Sequence, residues 1–148
     1  MMSVAVSIER ADSDEADRLL ALLADNGLPT EGFAEHLQTA IVARHDRQII
    51  GCAALELYAD GALLRSVAVA KAWQRQQVGR ELTLTALQLA KDSGASAVYL
   101  LTTTAERYFP RFGFERIERG EVPSLVLTSV EFTSACPSTA IVMRRRLA

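Results

Sequence analysis

The residues able to do chemistry cluster around one stretch of this 148-residue chain. Gln74-Arg75-Gln76-Gln77-Val78-Gly79-Arg80 follows an apolar run and opens an amphipathic one. A helix starting there leaves its first N–H groups unpaired and turns the positive end of its dipole outward. With Arg75 and Arg80 beside it, such a start suits a phosphate or pyrophosphate. Two charges interrupt the apolar runs just upstream, Glu56 in Cys52–Tyr58 and Arg65 in Ala62–Val69. A charge there is costly unless exposed or paired. The arginine fork can grip a carboxylate with two parallel bonds. A structural Arg65–Glu56 pair explains both residues equally well. Thr102-Thr103-Thr104 follows a third apolar run, where one hydroxyl should cap a helix and another can meet a ligand.

These residues need elements to hold them. Val4–Glu9 reads as a first strand. Asp12-x-x-Glu15 is an acidic capping box for a helix with Ala16, Leu19, Leu20 and Leu23 on one face. Gly27 closes that helix and Pro29 lies just beyond. Thr30–Leu37 is ambiguous, a short second helix being one reading. Ala40–Arg44, Ile49–Tyr58 and Ala62–Val69 make a meander turned at His45-Asp46-Arg47-Gln48 and at Asp60-Gly61. Val78–Asp92 is the central helix, with Val78, Leu82, Ala86 and Leu89 on one side and Gly94 at its end. Ala97–Leu101 is apolar throughout, as for a strand covered on both faces, and a βαβ crossover links it to the meander. Thr103-x-x-Glu106 reads as a capping box for a short helix limited by Pro110 and ended by Gly113-Phe114. Pro123–Phe132 fits no element cleanly. Ala140–Arg144 reads as the last strand. The sum is one α/β domain over residues 1–148, with a mixed sheet.

Composition narrows the class. The chain is 49% hydrophobic with a net charge of −2, which suits one packed core and argues against a broad basic surface for nucleic acid. Arg144-Arg145-Arg146 reads as a solvated end. Cys52 and Cys136 lie in no metal-ligand spacing, so neither a metal site nor a disulfide framework is expected. With no signal peptide and no membrane-length apolar run, a cytoplasmic protein without membrane partners is the expectation.

Ser66-Val67-Ala68-Val69, the 74–80 turn and Phe112-Gly113-Phe114 together resemble the GCN5-related N-acetyltransferase (GNAT) family. The family's Q/R-x-x-G-x-G/A loop becomes Gln74-x-x-Gln77-x-Gly79, with Gln77 in place of a glycine. Leu63–Val69, Tyr99–Glu106, Glu121-Val122-Pro123, Ser129–Phe132 and Cys136-Pro137-Ser138 are similar to the bacterial arsenic-resistance branch and to N-acetylglutamate-synthase-like proteins. The resemblance implies a mixed, mostly antiparallel twisted sheet flanked by about four helices. It implies acetyl-CoA as cosubstrate, with pantetheine along Val67, Ala68 and Val69. The pyrophosphate would lie at Arg75, Gln76, Gln77, Val78, Gly79 and Arg80.

On that resemblance the substrate is the amine of a small amino-acid-like molecule, and an organoarsenical amino acid is one candidate. Glu56 is then the candidate to take the ammonium's proton, Arg65 to hold a carboxylate and Thr103 to touch substrate. Gln77 is expected to adopt a tolerable φ. The tyrosine that many relatives use to protonate the leaving thiolate is here Phe109; Tyr108, about 100° around a helix, reads better as packing beside Phe112. A homodimer is plausible from the family. A metabolic amino-acid or polyamine acetyltransferase and a non-catalytic acyl-CoA-binding module are the rival readings.

Overall fold

The computed structural model describes residues 5–147. Seven strands form one sheet: β1 (Ser7–Arg10), β2 (Ala40–His45), β3 (Gln48–Tyr58), β4 (Gly61–Val69), β5 (Ala97–Thr102), β6 (Glu115–Ile117) and β7 (Ile141–Arg146). Their order is β1-β2-β3-β4-β5-β7-β6. Only β4 and β5 run parallel; every other neighbour is antiparallel. The start expected at Val4 lies outside the described residues.

Alternation along the strands divides the core between the two faces. Ile41, Ala43, Ala53, Leu55 and Leu64 pack with Val78, Leu82 and Ala86 of α2 (Val78–Asp92). Ala40, Val42, Cys52, Ala54 and Ala68 pack with Leu19 and Leu23 of α1 (Ala16–Asp25). Beyond α1 on that face, Leu63, Tyr99 and Val142 pack with Val122 and with Val126 from the segment that fits no sequence pattern, Pro123–Phe132. The remaining helical segments are short: 3₁₀ turns, such as Ala34–Thr39, and one π-helical turn at Glu131–Ala135.

Local differences from the sequence expectations have physical causes. Glu15 does accept the Asp12 N–H (2.7 Å), but both its oxygens also hold the Arg44 guanidinium. The capping box is thereby tied to β2. Thr103 caps nothing: Thr102 Oγ1 accepts the N–H groups of Ala105 (2.8 Å) and Thr104 (3.3 Å). Thr102 ends β5, and a hydroxyl at that point reaches the amides two and three residues on. The chain then makes a turn and the 3₁₀ segment Phe109–Phe112, not an α-helix, closed by Gly113 at φ +87°. Arg144–Arg146 is not a loose end but the last turn of the ladder, with Arg144 3.3 Å from Glu115 and Arg145 donating to the Phe112 carbonyl.

The irregularity between β3 and β4 opens the sheet. Cys52 pairs with Ala68 and Ala54 with Arg65, so Ser66 and Val67 together face Ala53. This bulge sets Ser66 at φ +61° and turns the end of β4. β4 meets β5 only at Ala62–Val98 and Leu63–Tyr99. From Leu64 onward the β5 side of β4 has no ladder partner.

Candidate active site

The gap between the diverging strands is the floor of a cleft of about 1100 Å³. It runs from the start of α2, past Val67 and Val69, to Arg65 and a C-terminal strap holding Glu131, Cys136 and Pro137. Val67 and Val69 line it, whereas Ala68 points to the opposite face and packs against α1. The Val69 carbonyl accepts from Gln74 Nε2 (3.0 Å); the other backbone groups of this edge that face the gap can pair with an extended ligand as a strand would.

The outer end is built from backbone. Gln77 precedes α2, and no side chain caps the helix. The first helical backbone bond runs from the Glu81 N–H to the Gln77 carbonyl (3.1 Å), leaving the amides of Val78, Gly79 and Arg80 ahead of the ladder. Arg75 and Arg80 line the same mouth and are exposed. Gln76 is exposed and donates to the Ala72 carbonyl (3.3 Å). Arg75 and Gln77 both adopt left-handed backbone, at φ +67° and +68°. That conformation favours glycine and costs a side-chain-bearing residue about 1 kcal/mol. Gln77 therefore keeps the turn at the expense of strain. A Cβ on Gly79 would lie 3.0 Å from the Tyr108 hydroxyl, so glycine is what lets the tyrosine approach the helix start. Mouth and floor thus fit a long ligand with an anionic middle and an extended arm, as the CoA moiety is.

Tyr108 does pack edge-on against Phe109 and Phe112, with ring centroids 5.2 Å away in each case. It also lines the cleft, which one-dimensional spacing did not reveal. Burial raises its phenol pKa above the ordinary value, so the hydroxyl keeps its proton at neutral pH.

The inner end is built from side chains. Arg65 is wholly covered. Its Nη1 donates to Glu56 Oε2 (2.9 Å) and its Nε to Ser66 Oγ (3.0 Å). Nη2 reaches the Pro29 carbonyl at 3.4 Å and Glu131 Oε2 at 3.6 Å. The Arg65–Glu56 pair across the meander is thus present. Glu56 is 0% exposed and does not line the cleft. Burial pushes its carboxyl up, but hydrogen bonds from Ser129, Tyr58 and Arg65, with His36 nearby, outweigh that and hold it below its ordinary value. Glu131, 4% exposed, does line the cleft; burial dominates there and raises it despite Arg65. Thr103 is exposed at the rim. Cys52 is buried in the core, whereas the Cys136 thiol borders the cleft and is pushed up to about 12 by burial and by Glu131. Among the described residues, no group of three or more His, Cys, Asp or Glu side chains could hold a metal, and no helix is long and apolar enough to cross a membrane.

Comparison with known proteins gives the same architecture. The amino-acid acetyltransferase of Neisseria meningitidis is 28% identical over 127 residues, which cover 80% of this chain and 29% of that protein. The Aeromonas salmonicida amino-acid acetyltransferase is 27% identical, covering 71% and 25%. The chain thus spans less than a third of these curated relatives. N-acetylglutamate synthase from Neisseria gonorrhoeae, solved with coenzyme A and N-acetyl-glutamate, superposes with a TM-score of 0.84 at 24% identity, over 99% of this chain and 36% of that one. Rv2747 from Mycobacterium tuberculosis, solved with CoA, gives 0.81 at 23% identity, over 96% and 99%. Residues 36–116, from the 3₁₀ turn before β2 through the central helix to β6, match the acetyltransferase (GNAT) domain. The chain belongs to the GNAT acetyltransferase family.

Proposed function

We propose that this domain transfers the acetyl group of acetyl-CoA to the amine of a small α-amino acid. The observation that carries the reading is the layout of the cleft: an uncapped helix start with arginines at one end, an unpaired strand edge along the floor, and a buried arginine at the other. Acetyl-CoA supplies an activated thioester. The amides of Val78, Gly79 and Arg80, with Arg75 and Arg80, hold its pyrophosphate; Gln76 and Gln77 shape that turn. The β4 edge at Val67–Val69 holds its pantetheine arm. Arg65 takes the acceptor's carboxylate through Nη2, whose present contacts are its longest and weakest. Access to Nη2 requires only that the Glu131 carboxylate move off it, the backbone of the strap staying in place. Glu56 acts through Arg65 as a positioning residue, holding the guanidinium in place and charged. Thr103 meets the acceptor at the rim.

The names of the amino-acid acetyltransferase relatives support an amino-acid acceptor. Within that class, an organoarsenical amino acid is the narrower reading. It rests on the sequence similarity at Ser129–Phe132 and Cys136–Ser138, which form the strap over the cleft. Such a substrate shares the amino-acid head and reacts at its amine, with no thiolate trap needed.

The test is CoA thiol release from acetyl-CoA with a panel of L-amino acids, polyamines and arsenical amino acids, with products identified by mass. Acetylation of carboxylate-bearing amines over polyamines is expected. Tight CoA binding without turnover of any amine would identify a non-catalytic acyl-CoA-binding module instead.

A further inference from the structure

We propose that Glu131 is the catalytic carboxylate of this cleft: it receives the acceptor's ammonium and takes its proton. Among the described residues lining the cleft, Glu131 is the only aspartate or glutamate, against the four arginines Arg65, Arg75, Arg80 and Arg111. Glu56 lacks a route to the acceptor, because its oxygens are turned inward to Arg65 and Tyr58.

The strap builds this position deliberately. Glu131 begins the π-helical turn Glu131–Ala135. Its N–H donates to Ser129 Oγ (3.1 Å), and its carbonyl accepts the Cys136 N–H (3.2 Å). Its backbone is therefore held at both ends while the carboxylate lies 3.6 Å from Arg65 Nη2. An α-amino acid carries its carboxylate and ammonium on one carbon, so its head matches an arginine and a glutamate set side by side. The groups facing Glu131 are Arg65 from β4, Glu56 from β3, Glu31 from the loop after α1 and Cys136 from the strap itself. Burial and the two glutamates favour the protonated form, Arg65 and Cys136 the charged form, and the balance is toward proton affinity. A base of that kind is better matched to an ammonium than a carboxylate held strongly ionised.

In the step, an ammonium N–H bond breaks and its proton passes to a Glu131 oxygen. The freed nitrogen pair forms the N–C bond to the thioester carbonyl carbon, and the C–S bond breaks. The acetylated nitrogen gives up a second proton, which passes through solvent to the departing thiolate, and Glu131 returns the first proton to solvent, so the products are the neutral amide, the CoA thiol and one proton.

The inference rests on the acetyltransfer reading, and on the amino-acid reading for the choice of acceptor. Two measurements separate them. The first is the pH profile of kcat/KM with L-glutamate for wild type and Glu131→Gln. The variant should lose about 10²–10⁴-fold at neutral pH. The deficit should shrink to less than about tenfold once the pH exceeds the amine's own pKa, because the acceptor then arrives deprotonated. A deficit that is constant with pH, or no deficit, overturns the proposal. The second needs no turnover. In CoA-bound protein with ¹³C-labelled glutamate, the carboxyl resonance missing from Glu131→Gln should titrate above an ordinary glutamate and move when methylammonium is added. A resonance at or below the ordinary value, or blind to methylammonium, overturns it. If wild type acetylates no amino acid, the substrate reading fails and the resonance still decides the role of Glu131.

Discussion

The two ends of the cleft are made of different material. At the mouth, the unpaired groups are the first amides of α2, shaped by a turn whose side chains are exposed. At the inner end, they are side chains buried almost completely and already paired with one another. A backbone site needs a helix start in the right place and tolerates changes such as Gln77 for glycine. A buried ionic site depends on each member, because removing one leaves an uncompensated charge. The cleft thus joins a mouth set by backbone to an inner end set by individual side chains.

The largest effects should expose this contrast in stability. Arg65→Ala, which strands Glu56, should cost about 3–5 kcal/mol in urea denaturation. Arg75→Ala and Arg80→Ala, at exposed positions, should each stay within about 0.5 kcal/mol of wild type. Equal losses at both ends would remove the distinction.

Next is the pH dependence of the inner end. The Glu56 carboxyl is lowered in the folded state, so its contribution is complete above its unfolded value and is lost as pH falls through the folded one. Wild-type stability should therefore fall on acidification below the ordinary carboxylate range. Glu56→Gln should start lower and flatter across that window. A variant as steep as wild type in acid unfolding would mean the pair is not what titrates.

At the mouth, Gly79→Ala brings a methyl to 3.0 Å from the Tyr108 hydroxyl. CoA affinity should drop several-fold with the melting temperature nearly unchanged; unaltered affinity would put the ligand elsewhere. The smallest effect is Gln77→Gly, which relieves left-handed strain at φ +68° and should add up to about 1 kcal/mol without weakening CoA binding.

How far these ends were legible in the sequence depends on the same contrast. The mouth could be read because strand, turn and helix are consecutive, and the meander and apolar β5 place them in one sheet. Glu56 and Arg65 stood out as charges within apolar strands, and their pairing was one of two open readings. Glu131 did not stand out. It lies in a segment without helical or strand periodicity, folded as 3₁₀ and π turns, and reaches Arg65 only through tertiary contact. The signal that could have found it was an acid, Glu131, flanked by apolar Val130 and Phe132 near the end of the chain. The bulge at Ser66 was equally silent, since serine does not announce a positive φ. Thr102 and Thr103 differ only in which is the last strand residue, a boundary that spacing cannot fix.

On the proposed reading, the start of α2 holds the pyrophosphate of CoA. Calorimetric titration of wild type and Gly79→Glu with CoA and with pantetheine, which lacks the pyrophosphate, tests it most directly. Wild type should prefer CoA by well over tenfold, about 1.4 kcal/mol for each factor of ten. Gly79→Glu should lose most of that preference while still binding pantetheine. Equal binding of the two ligands by wild type, or an undiminished preference in Gly79→Glu, would contradict the account.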